Sequence, residues 1–124
     1  QNILVYTLFY GVKIGAKRLF LFGAENNWHA KVTVNKNNEL ILNDTHLYDK
    51  KQEQTVRMIK DPADPSKSIK MAGFLDSCVK VFKGYDSVSK YAQTKQAQIY
   101  NCSKNSLIDS FERLDDEEFK QIMR

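Results

Sequence analysis

The residues best equipped for chemistry fall in three polar stretches. In the first, Glu25-Asn26-Asn27-Trp28, a carboxylate, two amides and the single tryptophan of the chain follow one another just after Gly23. A carboxylate there can hold a ligand hydroxyl or a metal, and an indole face can stack on a base or a sugar ring. In the second, His46-Leu47-Tyr48, an imidazole with an ordinary pKa of about 6.5 suits the removal of a proton from an attacking hydroxyl. His46 is therefore the candidate general base, and Tyr48 can donate to a phosphate. The third runs from Asn101 through Cys102 and Ser103 to Ser106. Its amide and hydroxyls, followed by a helix N-terminus, would suit an anion. Each candidate has a structural alternative: Trp28 and Tyr48 as anchors packed on the core, Glu25 as a loop cap, and Asn101, Ser103 and Ser106 as turn and cap residues. His29 reads as a solvent-facing strand residue.

The elements that must position these groups are legible as an α/β series. Residues 2–15, NILVYTLFYGVKIG, carry Leu4, Leu8 and Val12 on a broad apolar stripe with Val5, Phe9 and Ile14 beside it. They predict a largely buried helix with Asn2 as N-cap and Gly15 as its stop. Arg18–Phe22 is a short apolar run without alternation, as in strands of parallel sheets. Its polar exit, Glu25 to His29, lies at the strand's C-terminal end, where open α/β sheets bind ligands. Residues 30–42 alternate and turn at Lys36-Asn37-Asn38, which predicts a β-hairpin. Residues 43–68 are polar and charged, with Asp61-Pro62 and Asp64-Pro65, and read as a long lid, mobile from about Lys50 to Lys67. Residues 69–95 form one long amphipathic helix, opened by Ser66 or Ser68, with Gly84 as a place for a bend. Gln98–Tyr100 is a second strand. Two short helices follow, Leu107–Arg113 and another after Leu114 with Asp115–Glu118 at its N-terminus.

Composition sets limits. A chain of 124 residues with 7 Phe and 6 Tyr is large enough for one core. Cys78 and Cys102 stand far apart with no CxxC pair and no histidine cluster, which argues against zinc. The net charge of +4 is compatible with a phosphate-bearing ligand or an anionic membrane surface, but no basic cluster interleaved with aromatics favours nucleic acid. No apolar run approaches the ~20 residues of a membrane span. Beginning inside an apolar helix without Met, the chain reads as part of a longer protein.

Taken as an ordered set, Gly15 to Glu25, Trp28, His46-Leu47-Tyr48, Tyr91-Ala92, Ile99 to Ser103 and Ser106 to Arg113 resemble a known arrangement. It is that of bacterial surface-polysaccharide glycosyltransferases of the sialyltransferase type, and of the domains grouped with hydroxymethylpterin pyrophosphokinase. The resemblance covers nearly the whole chain and rests on order and spacing rather than on one motif. It implies a single domain, residues 1–124, forming the C-terminal half of a Rossmann-like transferase. That enzyme would be cytoplasmic, at the inner face of the membrane, and would use a nucleotide sugar and a glycan acceptor in capsule or lipopolysaccharide biosynthesis. His46 would be the base of a single displacement. Glu25, Asn27, Trp28, Tyr48, Asn101, Ser103 and Ser106 would line the substrate pocket, with no cofactor held by this chain. A pterin-type diphosphokinase, needing Mg²⁺ and ATP, is the alternative enzyme. Glu25 stands where such families favour Asp, and Asn26-Asn27 where they place an aromatic or His-Ser. Those departures motivate a third reading, a binding or assembly domain on the same scaffold. The apolar helix 2–15 and the edges of a two-stranded sheet further predict a homodimer.

Overall fold

The structure is a computed structural model that describes residues 2–44 and 55–124. The chain folds as an α/β protein whose contacts form two compact units, residues 1–26 with 79–124, and residues 27–78.

The first unit opens with α1 (Ile3–Lys13), capped by the Asn2 side chain, which accepts the Leu4 N–H at 2.9 Å. Gly15, at φ +100°, ends the helix in a conformation that L side chains avoid. β1 (Arg18–Leu21), β5 (Gln98–Asn101) and β6 (Glu112–Arg113) lie side by side in that order, all parallel, with Leu19 opposite Ile99 and Asn101 opposite Arg113. The core gathers Leu8 and Val12 of α1, Leu21 and Ile99 of the sheet, Tyr85, Val88 and Ala92 of α2 (Met71–Thr94), and Ile108 and Phe111. The final helix, α3 (Asp116–Ile122), carries a full capping box: Asp115 accepts from the N–H groups of Glu117 and Glu118, and the Glu118 carboxylate accepts from the Asp115 N–H.

Three expectations are corrected in this unit. α1 is not largely buried: Leu8 and Val12 face the core, whereas Ile3, Tyr6, Tyr10 and Ile14 are exposed within the chain. Residues 107–113 are not a helix. Ile108 and Phe111 are buried three apart, which imitates a helical period, but the segment is irregular and enters β6. The long helix runs unbroken through Gly84, where an added Cβ would lie 3.2 Å from both Val5 methyls. The missing side chain lets α1 and α2 approach closely, and no bend is needed.

In the second unit a 3-10 turn (Trp28–Lys31) precedes an antiparallel sheet of β2 (Val32–Val34), β3 (Leu40–Asp44) and β4 (Thr55–Met58). His29 is exposed on that turn and not on a strand. The hairpin turn is closed by Asn35, whose Oδ1 accepts from the N–H groups of Asn37 and Glu39, with Asn38 in the left-handed region at φ +59°. The lid expected over 43–68 is corrected where it is described. β3 extends through Asp44, β4 pairs with it, and the chain returns through a bridge between Lys60 and Ser68. Between these, Asp64 accepts from Ser66 and pairs with Lys67 at 2.9 Å. Those contacts hold its carboxyl below the ordinary range, Lys67 contributing most. Ser68 does not cap α2; its hydroxyl accepts the Leu40 N–H at 2.7 Å.

Candidate functional site

Parallel strands deliver their exit loops to one edge of the sheet, so the ends of β1 and β5 are the place to look for a site. β1 leaves through Phe22-Gly23-Ala24-Glu25-Asn26. Gly23 at φ +66° and Asn26 at φ +52° turn the backbone through left-handed conformations, which a glycine and an asparagine tolerate best.

The polar residues after β5 hold that turn. Asn101, 1% exposed, accepts the Ser103 N–H and donates to Ser106 Oγ and to the Ile108 carbonyl, each at 3.0 Å. Ser103 Oγ accepts the Ala24 N–H at 3.0 Å and donates to the Leu21 carbonyl at 3.2 Å. Ser106 Oγ donates to the Ala24 carbonyl at 2.6 Å and accepts the Ile108 N–H. The backbone adds bonds from Cys102 N to Leu21 O and from Leu107 N to Glu25 O, both at 2.8 Å. Asn101, Ser103 and Ser106 are thus brought together, as their spacing suggested. Their side-chain capacity is spent inside the chain, fastening the β5 loop to the β1 loop. With no helix at 107–113, no helix N-terminus follows Ser106 to receive an anion. The Arg113 guanidinium fills that ground, donating to the carbonyls of Ser106 (2.6 Å) and Ile108 (3.1 Å).

A second clamp sits beneath the β1 loop. The wholly buried Tyr85 hydroxyl lies 2.7 Å from the Asn26 amide and 3.1 Å from the Asn2 amide. Glu25 is half-buried, and among the described residues its carboxylate makes no hydrogen bond or ion pair. It is the one sheet-edge candidate whose polar head is unspent.

Beside the β5 loop, an open cleft of about 650 Å³ is lined by the Asn101–Asn105 turn and by residues 113–118. Its charged lining sets four carboxylates against Lys104 and Arg113: Asp115 and Glu118 are occupied in the capping box, Glu117 holds Lys120 at 2.7 Å, and Asp116 lies 3.6 Å from the Lys104 ammonium. Cys102 borders this cleft as a free thiol, its pKa pushed up by burial and secondarily by the Asp116 charge. The carboxylates of such a lining can accept from hydroxyls. Among the described residues no group of His, Cys, Asp and Glu is arranged to hold a metal ion.

The remaining candidates lie elsewhere. Asn27 and Trp28 belong to the second unit. Asn27 precedes the 3-10 turn and accepts the Ala30 N–H through its carbonyl. Trp28 lines an apolar cleft with Leu42, Met58, Ile59, Lys60 and Phe74. His46 and Tyr48 fall outside the described residues. Sequence reasoning missed Arg113, because a two-residue strand has no periodicity to detect. It also missed Tyr85, since a tyrosine on an apolar helical stripe looks like any other core residue.

No family model, curated protein or solved structure matches this chain. Among the described residues no helix is long and apolar enough to cross a membrane.

Proposed function

We propose that this chain contributes the sugar-handling part of a nucleotide-sugar transferase of surface-polysaccharide biosynthesis. The observation that carries the reading is the parallel order β1-β5-β6, with two stapled exit loops and a carboxylate-lined cleft at the C-terminal edge of the strands. Carboxylates and backbone carbonyls accept from sugar hydroxyls. The phosphates would be held by other parts of the enzyme, with Glu25 turned to a ligand hydroxyl and His46 as the base.

The test is amide chemical-shift mapping of the protein with sugar nucleotides, free monosaccharides, and ATP with Mg²⁺. Sugar-dependent shifts at Cys102–Asn105 and Asp115–Glu118, weakened by Asp116→Asn, are the expected result. In the protein that turns over sugar nucleotides, His46→Ala should remove turnover and leave the fold unchanged. Shifts with ATP and Mg²⁺ alone would instead favour a diphosphokinase. A second reading, a binding or assembly domain, draws on the complete internal use of Asn101, Ser103 and Ser106. Unchanged turnover or biology in the His46→Ala protein would favour it.

A further inference from the structure

The cleft at Trp28 lies wholly within the second unit and is chemically unlike the sheet-edge cleft. Its volume is about 490 Å³, inside the ~300–1,000 Å³ span of small-molecule pockets. Among the described residues, five of the six that line it are apolar or aromatic: Trp28, Leu42, Met58, Ile59 and Phe74. The sixth, Lys60, is exposed and supplies the only charge among the described lining residues. The Ile59 backbone on this wall is already used, donating to the Leu40 carbonyl and accepting from the Ile69 N–H, both at 2.9 Å. A sugar or a nucleobase would find few donors or acceptors for its polar edges, and desolvating those edges without partners is unfavourable. An apolar body with one negative end matches both features, the chain against the five apolar residues and the anion at the Lys60 ammonium.

We propose that this cleft is a binding site for a single-chain anionic amphiphile, an alkyl or prenyl chain ending in a phosphate or carboxylate, with Lys60 as the headgroup contact. The site is independent of the sugar-handling reading, since the two clefts share no residue.

The chain carries its own reporter, because Trp28 is its only tryptophan. Octyl, decyl and dodecyl phosphate, each below its micellar concentration, are titrated while the tryptophan emission is followed. The expected result is a saturable change whose affinity rises about threefold to fourfold per added methylene until the cleft is filled. Dodecyl maltoside, with a neutral head, should bind about tenfold more weakly than dodecyl phosphate. Lys60→Met should abolish that headgroup preference and keep the dependence on chain length. Phe74→Ala should flatten the chain-length dependence and keep the preference, so the two variants check each other if one folds poorly. Any of four results would overturn the proposal. They are no saturable change, equal affinity for the two heads, a preference that survives Lys60→Met, and a response to cytidine or adenosine monophosphate as strong as that to alkyl phosphates. A response confined to phosphatidylglycerol vesicles, with none to monomeric alkyl phosphates, would also overturn it by locating the interaction at a membrane surface.

Discussion

Asn101→Ala tests whether the sheet edge is held as described. The amide makes three hydrogen bonds to partners of unequal independence. Ser103 N–H loses its acceptor outright, and an unsatisfied buried donor costs about 1–3 kcal/mol. Ser106 Oγ keeps its bonds to the Ala24 carbonyl and the Ile108 N–H, and the Ile108 carbonyl keeps the Arg113 guanidinium. Those two losses are therefore partial, below the usual ~1 kcal/mol net per bond. Together the loss should be about 2–4 kcal/mol, or on the order of 10 °C in Tm for a chain of this size. Urea unfolding followed by far-UV circular dichroism measures it, and amide exchange at Cys102, Ser103 and Leu107 should accelerate as the two loops part. Asn101→Asp is the control. It keeps an oxygen for Ser103 but turns a second one toward the Ile108 carbonyl, so the folded state disfavours the charged form and raises the introduced carboxyl's pKa. Its penalty should grow as pH rises through and beyond the unfolded carboxylate pKa of about 3.9 and ease in acid, where the carboxyl can donate. An Asn101→Ala protein within about 0.5 kcal/mol of the parent, or an Asn101→Asp penalty independent of pH, would refute the reasoning.

Further predictions concern other sites. Gly84→Val should destabilise the first unit by about 1–3 kcal/mol through overpacking on Val5, whereas in Gly84→Ala a helix-propensity gain of about 1 kcal/mol offsets most of the crowding; thermal melts of both variants separate these effects. Asp115→Ala should cost about 1 kcal/mol and fray α3, visible as faster amide exchange at Glu117 and Glu118. Alkylation of Cys102, followed peptide by peptide, should have its midpoint above the ordinary thiol range, and Asp116→Asn should bring it part of the way down, leaving the larger effect of burial. Because the folded state keeps a proton that the unfolded chain releases, this thiol's stabilising contribution is full below the unfolded thiol pKa and is lost as pH rises through the folded one, which urea unfolding across alkaline pH would detect.

The parts of the fold written in local chemistry were legible in the sequence. Asn2 and Gly15 bracket α1, Asn38 turns the hairpin, and Asp115 with Glu118 opens α3, each through contacts within a few residues. Where the sequence misled, distant partners decided. Gly84 looked like a helix defect until Val5 was seen opposite it. Ile108 and Phe111 imitated a helical face because both reach the core from an irregular segment. β4 was hidden in a run rich in charge because its order comes from pairing with β3. At the candidate site, the clustering of Asn101, Ser103 and Ser106 could be read from their spacing. That the two serine hydroxyls are spent on Leu21 and Ala24 could not, because those partners lie about 80 positions away, on and after the neighbouring strand.

The pairing of β1 with β5 also has a consequence for biosynthesis. Ala24 and Ser103, joined by a hydrogen bond, are separated by 79 positions. At translation speeds of about 5–20 residues per second, α1 and β1 leave the ribosome on the order of ten seconds before the strand and helix that complete their core. Through that interval Leu8, Val12 and Leu21 have no α2 or β5 to cover them. The hairpin unit, closed by pairings between near neighbours in sequence, can fold in the meantime. This stretch of the emerging chain is thus a finished β module following an unfinished α/β one, and its vulnerability to aggregation or chaperone capture in that interval is concentrated in α1 and β1.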